Sequence, residues 1–120
     1  MRQHGLYKLN SNNEPVPVAD FAEYANVIEH IETRRVGLDF VNGCTVSTVF
    51  LGLEHGESGG KPILFETMVF TRRRGNYKRL DECKARACTW LEAREYHELI
   101  TLLIKRKRLT ELSFLFGFYE

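Results

Sequence analysis

The sequence predicts an α+β fold: an antiparallel sheet of about three to five strands built on a meander over residues 36–70, with helices over about 20–33 and 90–108 on one face. Three observations carry this. The run from Val36 to Phe70, VGLDFVNGCTVSTVFLGLEHGESGGKPILFETMVF, holds three apolar segments separated by two turn signals. On either side, apolar residues recur at helical spacing behind a capping pattern. At 120 residues the chain has room for one core, so a single domain over 1–120 is expected.

Taken in order, Leu6-Tyr7-Lys8-Leu9 suits a short edge strand, and the Asn-, Ser- and Pro-rich segment 10–17 reads as loop, with Val16 and Val18 kept extended by the prolines. Asp20 with Glu23 three residues on is a helix start, and Phe21, Tyr24, Ala25, Ile28 and Ile31 form one apolar stripe ending near Thr33. Asn42-Gly43 then predicts a two-residue type I′ hairpin, because both residues tolerate positive φ. That turn pairs Val41 with Cys44, Phe40 with Thr45, Leu38 with Ser47 and Val36 with Val49.

The second connection, GESGGKP, is a longer Gly-rich loop. Facing His55 with Ile63 across it pairs Leu53 with Phe65, Leu51 with Thr67 and Val49 with Val69. Strand alternation then sorts Val36, Leu38, Phe40, Val49, Leu51, Leu53, Ile63, Phe65 and Val69 onto one face, the expected core. Asp39, Thr48, Gly52, Glu54 and Glu66 fall on the other, mixed with Val46, Phe50, Met68 and Phe70.

Beyond Phe70, Cys83, Ala85 and Ala87 alternate with Lys84 and Arg86, which suits a fourth strand. Thr89-Trp90-Leu91-Glu92 is a second capping box, followed by a stripe of Ala93, Tyr96, Leu99, Ile100 and Leu103. Glu92, Glu95 and Glu98 early and Lys105–Arg108 late complement the helix dipole. The tail 109–120 alternates Leu112, Phe114, Phe116 and Phe118 on one side. That much aromatic area needs a cover, and we expect Phe114, Phe116 and Phe118 to serve self-association, as a homodimer.

A hydrophobic fraction of 43% and a mean hydropathy of −0.31 describe a globular chain. Three cysteines, an odd number in no framework spacing, favour free thiols in a reducing compartment. No run approaches the roughly 18 apolar residues of a membrane span, and the N-terminus lacks a signal-peptide core, so a cytoplasmic location is expected. The net charge of +1 hides clusters of Arg and Lys at 72–79 and 105–108.

Three groups of residues are candidates for function. Arg72, Arg73, Arg74, Lys78 and Arg79, with Tyr77 among them and a Gly75-Asn76 turn between, would place cations on both arms of a hairpin tip. Arginine forks suit phosphate, and a tyrosine among them suits stacking or a protein interface. Glu54, His55 and Glu66 are polar residues in apolar strands. Alternation turns His55 away from the two carboxylates, which argues against acid–base chemistry, and an ion pair of Glu66 with an arginine of the chain is the simpler expectation. Cys83, Cys88 and His97 lack zinc-knuckle spacing and a fourth ligand. No phosphate-loop, dinucleotide or nucleophile-elbow motif is present, so neither cofactor nor metal is expected.

The string Ser47–His55, STVFLGLEH, followed by a Gly-rich loop, LFETMVF and the Thr-Trp-Leu-Glu-Ala helix start, resembles a family of small phage and prophage proteins. Leu6–Leu9 and Glu14-Pro15-Val16-Pro17 resemble its N-terminal segment, so the likeness spans about Leu6 to His97. Glu54 stands where that family would carry Asp, TRRRGNYKR is more basic than its usual loop, and the aromatic tail exceeds its usual length. The resemblance implies a phage origin and, by itself, no chemistry. Together with the missing catalytic set it leads us to expect a non-enzymatic accessory protein that binds a host protein or protein–nucleic-acid complex, as an inhibitor of antiviral defence. A small nucleic-acid-binding or regulatory module using residues 72–79, with a phosphate-bearing ligand, is the alternative, and a small enzyme the third.

Overall fold

Asn42 and Gly43 adopt φ of 49° and 74° and turn the chain as their sequence predicts. The computed structural model describes residues 5–73 and 76–106, and within 72–84 the backbone alone. Its elements are β1 (Tyr7–Leu9), β2 (Pro15–Pro17), α1 (Phe21–Glu29), α2 (Ile31–Arg34), β3 (Arg35–Val41), β4 (Cys44–Phe50), β5 (Glu57–Ser58), β6 (Lys61–Pro62), β7 (Phe65–Arg73), β8 (Asn76–Ala87) and α3 (Trp90–Lys105). The main sheet has the antiparallel order β3-β4-β7-β8, and β1-β2 and β5-β6 are small satellites. The fold is α+β.

Helix α3 lies across the sheet and buries Ala93, His97, Ile100, Leu103 and Ile104. Thr89 caps it by accepting the Glu92 N–H at 3.1 Å, while the Glu92 carboxylate accepts the Cys88 N–H at 2.9 Å. At the other end, the Asn42 side-chain amide donates to the carbonyls of Ile104 and Lys105, each at 2.9 Å. The turn that sets the first hairpin register therefore also binds carbonyls of the last helical turn.

Several expectations are corrected. The β3–β4 register runs as expected from Val41–Cys44 to Leu38–Ser47, but a bulge between Arg35 and Gly37 gives Arg35, not Val36, to Val49. In the second hairpin, the His55 N–H does donate to the Ile63 carbonyl at 2.9 Å, yet the Leu51 N–H donates to Leu64. Gly52, Leu53 and Glu54 leave the ladder between these bonds. They pair instead with the N-terminus: Tyr7 N–H to Gly52 O, Glu54 N–H to Gly5 O, and a Leu6–Leu53 bridge. Gly52 takes φ of 74° to make the exit, and its missing side chain admits Tyr24. Inside that excursion the strands pair as Val46–Val69, Thr48–Thr67 and Phe50–Phe65.

An odd displacement of register turns β4 over relative to β7, so Val46 and Phe50, expected on the far face, join Phe65 and Val69, which are buried as expected. The core is made by Val46, Phe50, Phe65, Val69, Ala85 and Ala87, all buried, together with Val36, which the bulge turns inward. The expected core residues Leu38, Phe40 and Leu53 are exposed, at 37%, 72% and 43%.

The helices differ from expectation too. The segment 20–33 breaks at His30 into α1 and the single turn α2, and α1 leans on β1 with no fully buried residue, so among the described helices α3 is the one that covers the sheet. Phe21 and Ile28 of the expected stripe are exposed, while Glu23, Tyr24 and Val27 turn toward the body. The cause is local: Glu23 pairs with Lys8 and also accepts the Ala19 N–H, and Val27 packs on the Phe50 cluster. On α3, Leu99 is 37% exposed, and His97 holds the inward position instead. The segment 10–17, expected as loop, contributes β2, whose register is Tyr7–Pro17, Lys8–Val16 and Leu9–Pro15. The helix expected to residue 108 is described to Lys105, and the tail with Phe114, Phe116 and Phe118 lies outside the described residues.

Candidate functional site

Beneath His97 the sheet presents a row of small residues. Gly37 pairs with Thr48, Thr48 with Thr67, and Thr67 with Ala85. A β-carbon on Gly37 would meet the imidazole at 2.8 Å, so the glycine is what lets the ring lie against the strand. The ring splits the interior in two. Val46, Val69, Ala85, Ile100, Leu103 and Ile104 pack on one side, and Val36, Phe50, Leu64, Phe65, Ala87 and Ala93 on the other.

Between the two clusters runs a chain of hydrogen bonds. Thr67 Oγ1 and Thr48 Oγ1 are 2.6 Å apart, Thr48 Oγ1 and His97 Nδ1 2.7 Å, and His97 Nε2 and Asp39 Oδ2 2.7 Å. Because a carboxylate only accepts, a neutral ring donates Nε2–H to Asp39 and accepts at Nδ1 from the Thr48 hydroxyl, which in turn accepts from Thr67. Every buried polar atom of the layer is satisfied, as a polar layer in an apolar core requires.

Hydroxyl, imidazole and carboxylate stand in the order and at the distances of a nucleophile, base and orienting acid. The location denies that role. Thr48 and Thr67 are 0% and 2% exposed, mid-strand under the helix, and a nucleophile needs an oxygen that substrate can reach. Only the Asp39 end meets solvent. Of the described thiols, burial pushes Cys44 up, and burial followed by the Glu92 charge pushes Cys88 up. Burial and Glu92 likewise raise Tyr96.

The other face of the sheet is different. Leu38 and Phe40 on β3, Thr45, Ser47 and Val49 on β4, and Glu66, Met68 and Phe70 on β7 share it by register, and none of them is buried. Among the described residues no helix lies on this face. It carries an exposed phenylalanine and leucine on the edge strand, and its register runs on through Phe70–Arg79 and Arg72–Tyr77 to Arg73–Asn76.

The predicted site residues fall as follows. Arg72, Arg73, Tyr77, Lys78 and Arg79 occupy the β7–β8 ladder near its end; their side chains, and Arg74 altogether, lie outside the described residues. Met68 pairs with Lys84 but Val69 with Leu80, so residues 81–83 stand outside the register as a bulge next to this arm. Glu66 accepts from Arg86 Nε at 3.2 Å, the expected ion pair. Glu54 and His55 use their backbone N–H groups to hold the strand excursion, and the three do not converge. His97 is fully engaged by Thr48 and Asp39, and the Cys88 thiol faces the carbonyls of Ser58 and Lys61, at 4.0 and 3.7 Å. Cys83 lies outside the described side chains. Sequence reasoning did not single out the Gly37–Thr48–Thr67–His97 layer. One signal was present: His97 stands four residues after Ala93 and three before Ile100, on the buried stripe.

No protein-family model, curated protein or solved structure matches the chain.

Proposed function

We propose that this protein acts by binding a protein partner rather than by catalysis, and that the sheet face opposite α3, on which no described helix lies, is the contact surface. The observation that carries the reading is Phe40, 72% exposed on an edge strand beside Leu38 on a face with no buried residue. An apolar face of this kind on a soluble domain marks a contact site. The sequence at the sheet's end adds Arg72, Arg73, Arg74, Lys78 and Arg79, so the complementary partner presents an apolar patch bordered by acidic groups. Taken with the likeness to small phage and prophage proteins, this makes a host protein the partner and inhibition of a defence system the role. The triad-like residues contribute to this reading by their burial: the hydroxyls of Thr48 and Thr67 have no access to a substrate.

A second reading has its own observation. The ladder ends at Arg73–Asn76, bringing both basic arms to one hairpin tip, which suits nucleic-acid phosphate. Affinity capture from host lysate separates the two. A protein retained after nuclease and at about 0.5 M salt supports the apolar contact, whereas retention that vanishes with either treatment supports phosphate binding.

A further inference from the structure

A cleft of about 600 Å³ opens between the β1–β2 hairpin and the α1–α2 corner, away from the polar layer and from the basic ladder, with Lys8, Asn13, Asn26, His30, Thr33 and Arg34 in its wall. Its volume is in the range of small-molecule sites and well above what a single inorganic ion fills. Leu9 and Val27 add apolar lining.

The charges in the wall do not cancel. Lys8 and Glu23 are paired with each other. Arg34 is half-buried, and among the described residues it donates to neutral groups: Nη1 to the Phe50 carbonyl at 2.9 Å and Nη2 to the Ile28 carbonyl at 3.3 Å. Its Nε–H is cut off from solvent and has no acceptor among the described residues. Among the described residues no carboxylate forms an ion pair with it. A guanidinium withdrawn from water and held in place by backbone carbonyls keeps its charge, because arginine does not deprotonate in proteins. Such a group in a cleft wall attracts an anion, and surrounding amides and hydroxyls suit the oxygens of a phosphate ester and the hydroxyls of its body.

We propose that this cleft binds a small phosphorylated molecule, with Arg34 as the charge that selects the phosphate and Asn13, Asn26 and Thr33 facing the polar body. Lys8 stays with Glu23, so the site carries one net positive charge, enough to favour a monoester over an uncharged analogue.

Isothermal titration of the full-length protein with AMP, ribose 5-phosphate and adenosine tests this. Both esters are expected to bind saturably with Kd below about 1 mM and at least about tenfold more tightly than adenosine. Arg34→Gln should lose at least about tenfold in affinity. Because Arg34 also ties α2 to β4, Asn26→Asp provides a second variant: it places a negative charge in the cleft wall at an exposed helix position and should weaken ester binding by a similar factor. Absence of saturable binding by either ester, or undiminished binding by folded Asn26→Asp, overturns the proposal.

Discussion

His97 Nε2 lies 2.7 Å from Asp39 Oδ2, joining a side chain that is 3% exposed to one that is 54% exposed. This bond ties α3 to the edge strand β3 across the covered side of the sheet, and it is the solvent end of the Thr67–Thr48–His97–Asp39 chain. The layer fixes how the helix sits, since a helix displaced along the sheet would leave buried hydroxyls and an imidazole without partners.

Thr48→Val keeps the side-chain shape but removes the donor to His97 Nδ1. It should cost about 1–3 kcal/mol, the penalty of an orphaned buried polar group. Combining it with His97→Leu should cost less than the sum of the two single changes, because both partners are then apolar. Urea denaturation reads both quantities, and strict additivity would show that the pair does not act as a unit.

The face assignment gives a sharper contrast. Phe50→Ala and Phe65→Ala should each cost about 3–5 kcal/mol, because both rings are fully buried and pack on each other at 5.3 Å between centroids. Phe40→Ala should fall within about 0.5 kcal/mol of the parent, as exposed positions do. Equal costs for Phe40 and Phe50 would mean that the faces are exchanged.

Much of this arrangement was legible in the sequence. Asn42-Gly43 set the first hairpin because its turn chemistry is local, and Thr89 and Asp20 cap their helices for the same reason. What escaped was set by distant partners. At the outer end the His55 N–H does reach the Ile63 carbonyl, although Ile63 donates to Gly56, and the excursion at Gly52–Glu54 is held by hydrogen bonds to Gly5 and Tyr7, about 45 residues earlier in the chain, which no local pattern shows. A three-residue excursion then turned β3 and β4 over relative to β7, so Leu38, Phe40, Val46 and Phe50 fall on the opposite faces from those expected while Phe65 and Val69 stay in the core. Gly52 inside a strand pattern was the available warning, since an isolated glycine there often marks a bulge or exit. His97 escaped because its partners Asp39 and Thr48, and Thr67 behind Thr48, come from three separate strands of the sheet.

Gly37→Ala tests the close approach of ring and strand. A β-carbon 2.8 Å from the imidazole must push His97 away from Thr48 or Asp39, so a loss of about 1–3 kcal/mol is expected in thermal or urea unfolding. Gly43→Ala has free space around it and is strained by its positive φ alone, so comparing the two separates contact from backbone strain.

The N-terminal hairpin should loosen in acid. The Lys8 side chain, and then the Ala19 N–H, hold the Glu23 carboxyl below its ordinary value. A depressed folded value means that its contribution is fully present above about pH 4.3 and is lost as pH falls through the lower folded value. NMR titration should find Glu23 protonating below about 4.3, together with shifts at Lys8 and Ala19. Protonation of Glu23 at or above that value would show that the contacts do not form in solution.

Phe40→Asp probes whether the sheet face opposite α3 is where a partner docks. The change puts a charge at the most exposed apolar position of that face without touching the core. Affinity capture from nuclease-treated host lysate should retain a protein on the parent and lose it on Phe40→Asp, while the variant's denaturation midpoint stays within about 0.5 kcal/mol of the parent. Capture of the same protein in equal amount by the folded Phe40→Asp variant would contradict the claim.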